Sequence, residues 1–72
     1  MKSEKVNLLD VVALTEDMPT HKLARGQVGT VVERLAPHVF EVEFSDNEGR
    51  AFAELAVNAE QLLVLHYEPV IG

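Results

Sequence analysis

The stretch Val39–Leu55, VFEVEFSDNEGRAFAEL, decides the fold. Its first part alternates strictly, with Phe40, Val42 and Phe44 on one side of an extended chain and glutamates on the other. Asp46–Gly49 has the composition of a four-residue turn, because Asp and Asn tolerate turn backbones and Gly supplies a positive φ. A second apolar segment follows the turn. The stretch therefore predicts a β-hairpin with one buried face.

Counting outward from the turn assigns the hairpin pairs. If Asp46–Gly49 is the loop, Ser45 pairs with Arg50 and the strand after the turn runs from Arg50 to about Val57. Large side chains then oppose smaller ones, which favours this face as the core: Phe44 opposite Ala51, Val42 opposite Ala53, and Phe40 opposite Leu55. A one-residue shift would instead bury Glu54 with Phe52 and expose Leu55, which is less favourable.

The same pairing places an aromatic side chain among acids on the outer face. Glu43 lies opposite Phe52, and Glu41 lies opposite Glu54. Directly opposed like charges destabilise a sheet slightly, and an exposed aromatic ring is an anchor for a partner. We predict that Glu41, Glu43, Phe52 and Glu54 bind a partner protein. The alternatives are that the strand bend or the tail residues Tyr67, Val70 and Ile71 cover Phe52.

The rest of the chain predicts three more strands and one long loop. The strands are Leu8–Leu14, Val28–Leu35 and Leu63–Leu65; Ala36–His38 is a turn, and Asn58–Leu62 is one helical turn capped by Asn58. Thr15–Arg25 is polar and contains Pro19, which predicts a loop that Gly26 closes. Gly29 inside a strand indicates a bulge or a close backbone approach. We expect an all-β fold: a small five-stranded SH3-like barrel with a long first loop and one helical turn before the last strand.

Three motifs resemble a bacterial family of small domains of unknown function that is expected to have an SH3-like barrel. They are Leu8–Leu14 (LLDVVAL), Arg25–Glu33 (RGQVGTVVE) and Val42–Arg50 (VEFSDNEGR), and the likeness covers nearly the whole chain. A shorter likeness, at Gly26–Val31, is similar to the KOW modules of ribosomal and transcription proteins. The first resemblance implies the fold and carries no established activity.

Composition limits the function classes. The 72 residues fit one domain, 1–72, with a core at about 6–66 and a tail at 67–72. There is no cysteine, and no stretch has the length and apolarity of a signal peptide or a spanning helix, so we expect a bacterial-type cytoplasmic protein. Twelve acids against six bases give a net charge of −6, which disfavours nucleic acid and anionic membranes as partners.

No motif predicts a catalytic, cofactor or metal site. Arg25–Thr30 lacks the Gly-Lys-Ser/Thr ending of a phosphate loop, and the three histidines share no ligand spacing. Ser3 and Ser45 have no His/Asp partners placed by a motif. Asp10, within an apolar run, is expected to accept hydrogen bonds from the loop amides at Gly26–Gly29. A pocket of several hundred cubic ångströms is also hard to house in so short a chain.

The function expected from the sequence is therefore a non-catalytic protein-interaction module with an acidic surface, with an immunity or antitoxin-like role as one form of it. The first alternative is an RNA- or ribosome-associated module similar to KOW domains, which would depend on Lys22, Arg25 and Arg34. The second is a structural homo-oligomer, with Pro69–Ile71 supplying the contact. The sequence does not identify the partner protein.

Overall fold

The computed structural model describes residues 5–66 as a single antiparallel sheet of five strands. The strands are β1 Val11–Leu14, β2 Val28–Ala36, β3 Val39–Ser45, β4 Ala51–Asn58 and β5 Leu62–Val64; short 3-10 helices occur at Pro19–His21 and Ala59–Gln61. This confirms the all-β class, the five strands and the helical turn before the last strand. Within these residues, no helix is long and apolar enough to cross a bilayer.

The strand order is β4-β3-β2-β1-β5, so the first strand lies between the second and the last. The sheet curls around one hydrophobic core, because Val57 of edge strand β4 and Val64 of edge strand β5 belong to the same buried cluster. The two edge strands do not pair with each other among residues 5–66, so hydrogen bonds do not close the sheet into a barrel. The core centre is formed by Val12, Val31, Val42 and Phe44, all fully buried.

The hairpin faces are as predicted, but its register is not. Phe44 pairs with Ala53, Val42 with Leu55, and Phe40 with Val57, which shifts β4 by two residues from the predicted pairing. Two one-residue shifts add up: Ser45 pairs with Ala51 and not with Arg50, and Phe52 is an extra residue in a bulge between the Ser45–Ala51 and Phe44–Ala53 pairs. Because the shift is even, the odd-numbered residues from Ala53 onward still face inward. Ala51, predicted inward, is exposed.

The first predicted strand starts three residues too early. Leu8 and Leu9 form a turn and are exposed, and Leu9 has a φ of 70°. The Leu9 amide donates to the Val31 carbonyl over 2.7 Å, which fixes this turn against β2. The Asp10 carboxylate accepts from the Asn7 amide at 2.8 Å, and not from the amides at Gly26–Gly29 as predicted. Asp10 therefore closes its own turn.

The long first loop is held by its own polar groups and one buried side chain. Leu23 is buried in the core and forms an isolated bridge with Met18. The Asp17 carboxylate accepts from the Arg25 amide at 2.8 Å. Gly26 has a φ of 89° and donates its amide to Leu14 at 2.7 Å, which returns the chain to the sheet. The loop therefore caps one end of the core.

At Gly29 the backbone of β2 lies close to residues of β3. A Cβ atom at this position would lie 2.7 Å from Val42 Cγ1, 2.9 Å from the Glu43 carbonyl oxygen and 2.9 Å from Phe44 Cδ1. The register shifts in β2 occur further along, between Val31 and Glu33 and again after Arg34. The sequence signal at Gly29 therefore marks the close approach, and not a bulge.

Candidate functional site

The outer face of the sheet carries four glutamates on three adjacent strands. Glu43 of β3 lies directly opposite Glu54 of β4, and Glu41 of β3 lies directly opposite Glu33 of β2. We call these four residues the acidic face. The sequence prediction of a Glu41–Glu54 pair is wrong because β4 is shifted by two residues, which places Ala56 opposite Glu41. The structure keeps the three predicted glutamates on one surface and adds Glu33, which sequence reasoning missed.

Within residues 5–66, these carboxylates form no ion pair. No described lysine or arginine forms an ion pair with any member of the acidic face; Arg50 instead pairs with Asp46 and Glu48 in the turn. Opposite residues of an antiparallel pair have Cβ atoms about 5 Å apart, and like charges at that distance repel. The acidic face therefore has two unfavourable cross-strand pairs that no ion pair among the described residues neutralises.

Phe52 stands at the bulge beside this face. Its side chain is 51% exposed and is not part of the buried cluster. The backbone reason is the extra residue, since a bulge re-aims the side chain it carries. Glu54 is two positions along the same strand. The predicted covering of Phe52 by Tyr67, Val70 and Ile71 concerns residues outside the described range 5–66.

The other half of the outer face is apolar. Ala13 of β1 pairs with Val28 of β2 on one side and with Leu63 of β5 on the other. Val28 is 46% and Leu63 52% exposed, whereas Ala13 between them is 7% exposed. A shallow depression of about 270 Å³, lined by Val28, Thr30, Glu43 and residues of the turn, joins this row to the acidic face. One surface therefore offers carboxylates on one side and apolar area on the other.

The turn next to this surface is organised by Asp46. Its carboxylate accepts hydrogen bonds from the amides of Glu48, at 2.9 Å, and Arg50, at 3.0 Å. The Arg50 amide is the largest influence that lowers the pKa of Asp46, with smaller contributions from the Glu48 amide and the Arg50 side chain. Gly49 has a φ of 80° and donates to the Asp46 carbonyl, so the predicted turn is confirmed.

A separate open groove of about 1200 Å³ lies at the β2–β3 turn end of the sheet. It is larger than the sequence argument about pocket size allowed. Lys5, Arg34 and His38 line it with Glu60, and Phe40 forms part of its apolar wall. No group of three or more histidine, aspartate or glutamate side chains within residues 5–66 is placed to hold a metal ion.

The residues proposed for RNA binding do not converge on one patch. Lys22 and Arg25 lie in the first loop, which joins β2 at its start, whereas Arg34 lies near the end of β2. At about 3.3 Å per residue, the stretch of β2 from Val28 to Arg34 spans about 20 Å. The structure therefore brings together the glutamates of the predicted protein-binding site and separates the bases of the alternative.

The fold and this surface define a small all-β domain with a two-part outer face, acidic on one side and apolar on the other. The chain belongs to the family described as a domain of unknown function, DUF4926, whose profile matches residues 8–64. Comparison with curated proteins and with solved structures gave no match. The family match supports the resemblance in its general form, a small domain of unknown function.

Proposed function

We propose that this domain is a non-catalytic protein-interaction module that binds a partner protein through the acidic face and Phe52. The observation that carries the proposal is the two pairs of opposed glutamates, Glu43–Glu54 and Glu33–Glu41, which form no ion pair with a described lysine or arginine. Such pairs reduce the stability of the free domain, and a basic partner relieves the repulsion. The exposed ring of Phe52 adds apolar contact area next to the charges.

The partner class follows from this chemistry: a protein with a basic, partly apolar surface. An immunity or antitoxin-like role is one form of the proposal, since such proteins neutralise a partner by covering it. We also propose that the fold is an open variant of the SH3-like barrel, supported by a first strand between the second and the last and by the 3-10 helix before the last strand. A cytoplasmic location stays a prediction.

The test is capture of partners from the native lysate by wild-type and variant domains. We expect Glu43→Gln/Glu54→Gln and Phe52→Ser to lose captured proteins that the wild type retains. The control is Glu60→Gln, which removes an exposed carboxylate on the 3-10 helix that is not part of the acidic face. Circular dichroism confirms that each variant is folded. Identical captured proteins for all four domains would overturn the proposal.

A further inference from the structure

The two edges of the sheet differ in how open they are. Edge strand β5 has three residues, and the Leu62 amide at its start already donates to the Ala59 carbonyl. Edge strand β4 has eight residues and contains neither proline nor lysine, the residues that natural sheets use to block an exposed edge. Beyond the bulge at Phe52, no described residue pairs with the outer side of β4. This edge is therefore available for another strand.

One hydrogen bond identifies the backbone groups that point outward from β4. The Ala59 amide donates to the His38 carbonyl at 2.8 Å, in the same register as the β3–β4 pairs. In an antiparallel ladder the hydrogen-bonded pairs recur at every second residue, so Leu55 and Val57 bond to β3. The N–H and C=O groups of Glu54 and Ala56 then point to the open edge.

The amide of Asn58 gives an independent check of this assignment. It belongs to the same outward set and donates to Gln61 Oε1 at 3.1 Å, and not to β3. Gln61 thereby occupies the last outward amide of the strand. Two residues, Glu54 and Ala56, remain with outward backbone groups that no described residue meets. They are flanked by the acidic face on one side of the sheet and by the core on the other.

Side chains on the two sides of β4 specify what an added strand would carry. Ala53 and Leu55 face inward and are only partly buried, although the residues beside them on β3, Phe44 and Val42, are fully buried. An added strand would therefore place apolar side chains over them. On the outer side Glu54 is exposed, so the same strand would place basic side chains there. Apolar and basic residues would alternate.

We propose that β4 is the docking edge for an extended segment of a partner protein with alternating apolar and basic side chains, which adds to the sheet as a sixth strand. The inference rests on the proposed function and specifies its mode of binding. Backbone hydrogen bonds from Glu54 and Ala56 supply affinity, and the acidic face selects basic side chains. A second copy of this chain is the less favourable occupant, because each copy has a net charge of −6 and would bring its own acidic face alongside.

The experiment uses amide hydrogen exchange, measured by NMR on the full chain. The probe is a capped peptide of the length of β4 that alternates lysine and valine; the control peptide alternates glutamate and valine. We expect the lysine peptide to slow exchange at the Glu54 and Ala56 amides at least about tenfold, with little change at Leu55 and Val57, which already bond to β3. The glutamate peptide is expected not to bind.

Matched variants test the role of charge. Glu54→Lys is expected to weaken the lysine peptide about fivefold, the scale of reversing one exposed ion pair, whereas Glu60→Lys, with the same change in charge, leaves its affinity within about twofold. Equal effects of the two variants would show an unspecific charge effect and would overturn the proposed mode. Thermal unfolding of each variant confirms that it is folded.

The remaining outcomes separate this inference from the proposed function. If the lysine peptide changes the NMR chemical shifts of Glu43 but does not slow exchange at Glu54 and Ala56, strand addition is overturned. The acidic face then remains as a binding site. The same holds if only a helical lysine–leucine peptide binds. If neither the lysine–valine peptide nor the helical lysine–leucine peptide binds, both proposals fail. If exchange at the Glu54 and Ala56 amides is already slow without peptide, and becomes slower as the protein concentration rises, the occupant is a second copy of this chain. That result would overturn the choice of partner.

Discussion

Replacing Gly29 by alanine tests the close packing of β2 against β3 at this residue. The new Cβ atom would lie 2.7–2.9 Å from Val42 Cγ1, the Glu43 carbonyl oxygen and Phe44 Cδ1, whereas ordinary van der Waals contacts lie at 3.4–4 Å. Val42 and Phe44 are both fully buried, and close packing in a protein core limits how far such side chains can move. The third contact is backbone, and its displacement would open the β2–β3 ladder.

The magnitude follows from these contacts. Overpacking a well-packed core costs typically about 1–3 kcal/mol, and three simultaneous short contacts place Gly29→Ala at the upper end, at about 2–3 kcal/mol. For a domain of this size 1 kcal/mol corresponds to about 4–8 °C, so we expect the melting temperature to fall by about 10–20 °C. Urea unfolding with an unchanged slope is the confirming measurement.

A double-mutant cycle identifies the cause. Val42→Ala removes the Cγ1 atom in the shortest contact, so the double variant Gly29→Ala/Val42→Ala is expected to lose about 1 kcal/mol less than the sum of the single losses. The control is Gly49→Ala with Val42→Ala, because a Cβ at Gly49 meets nothing within 4 Å and its cost comes from a φ of 80° alone. This pair is expected to be additive. Additivity at Gly29 would refute the steric explanation.

Three further predictions concern the acidic face and the turns. Glu43→Gln or Glu54→Gln is expected to increase the free energy of unfolding by about 0.2–1 kcal/mol at low salt, since each removes a like-charge pair; no gain in urea unfolding would contradict the repulsion. The pKa of Asp46 is lowered in the folded chain, so its stabilising contribution is present above the pKa of the unfolded chain and is lost as the pH falls through the folded pKa. We therefore expect the free energy of unfolding to fall less for Asp46→Asn than for the wild type between pH 7 and about pH 2, measured by urea unfolding. This range includes the titration of an Asp in the unfolded chain, at about pH 4. Leu9→Gly is expected to be neutral or to stabilise by up to about 1 kcal/mol, because Leu9 has a φ of 70° and is largely exposed; Leu8→Gly, beside it, serves as the control and should destabilise.

The fold could be predicted because its signals are local. Alternation in Val39–Phe44 specifies which side of β3 is buried, and the Asp46–Gly49 turn places β4 next to it, since both depend on side-chain period and turn backbone alone. The failures have equally local causes. Leu8 and Leu9 are apolar but lie in a turn, which the hydrogen bond from the Asn7 amide to the Asp10 carboxylate closes.

The candidate site could be predicted only in part from the sequence. Glu41, Glu43 and Glu54 follow from the hairpin, whereas Glu33 lies opposite Glu41 between two register shifts in the β2–β3 ladder. The apolar row of Val28, Ala13 and Leu63 depends on the order of β2, β1 and β5, which are distant in sequence. Residues on non-neighbouring segments come together only when long-range pairing is known.

The sequence by itself determined the class of the fold, the buried face of the central hairpin and an acidic surface, because period, turn chemistry and net charge act within a few residues or over the whole chain. Only the tertiary structure decided the register of β4, the exposure of Phe52 at the bulge and the openness of the β4 edge. These features depend on how the strands pair, because one extra residue in a ladder changes the partner of every residue after it.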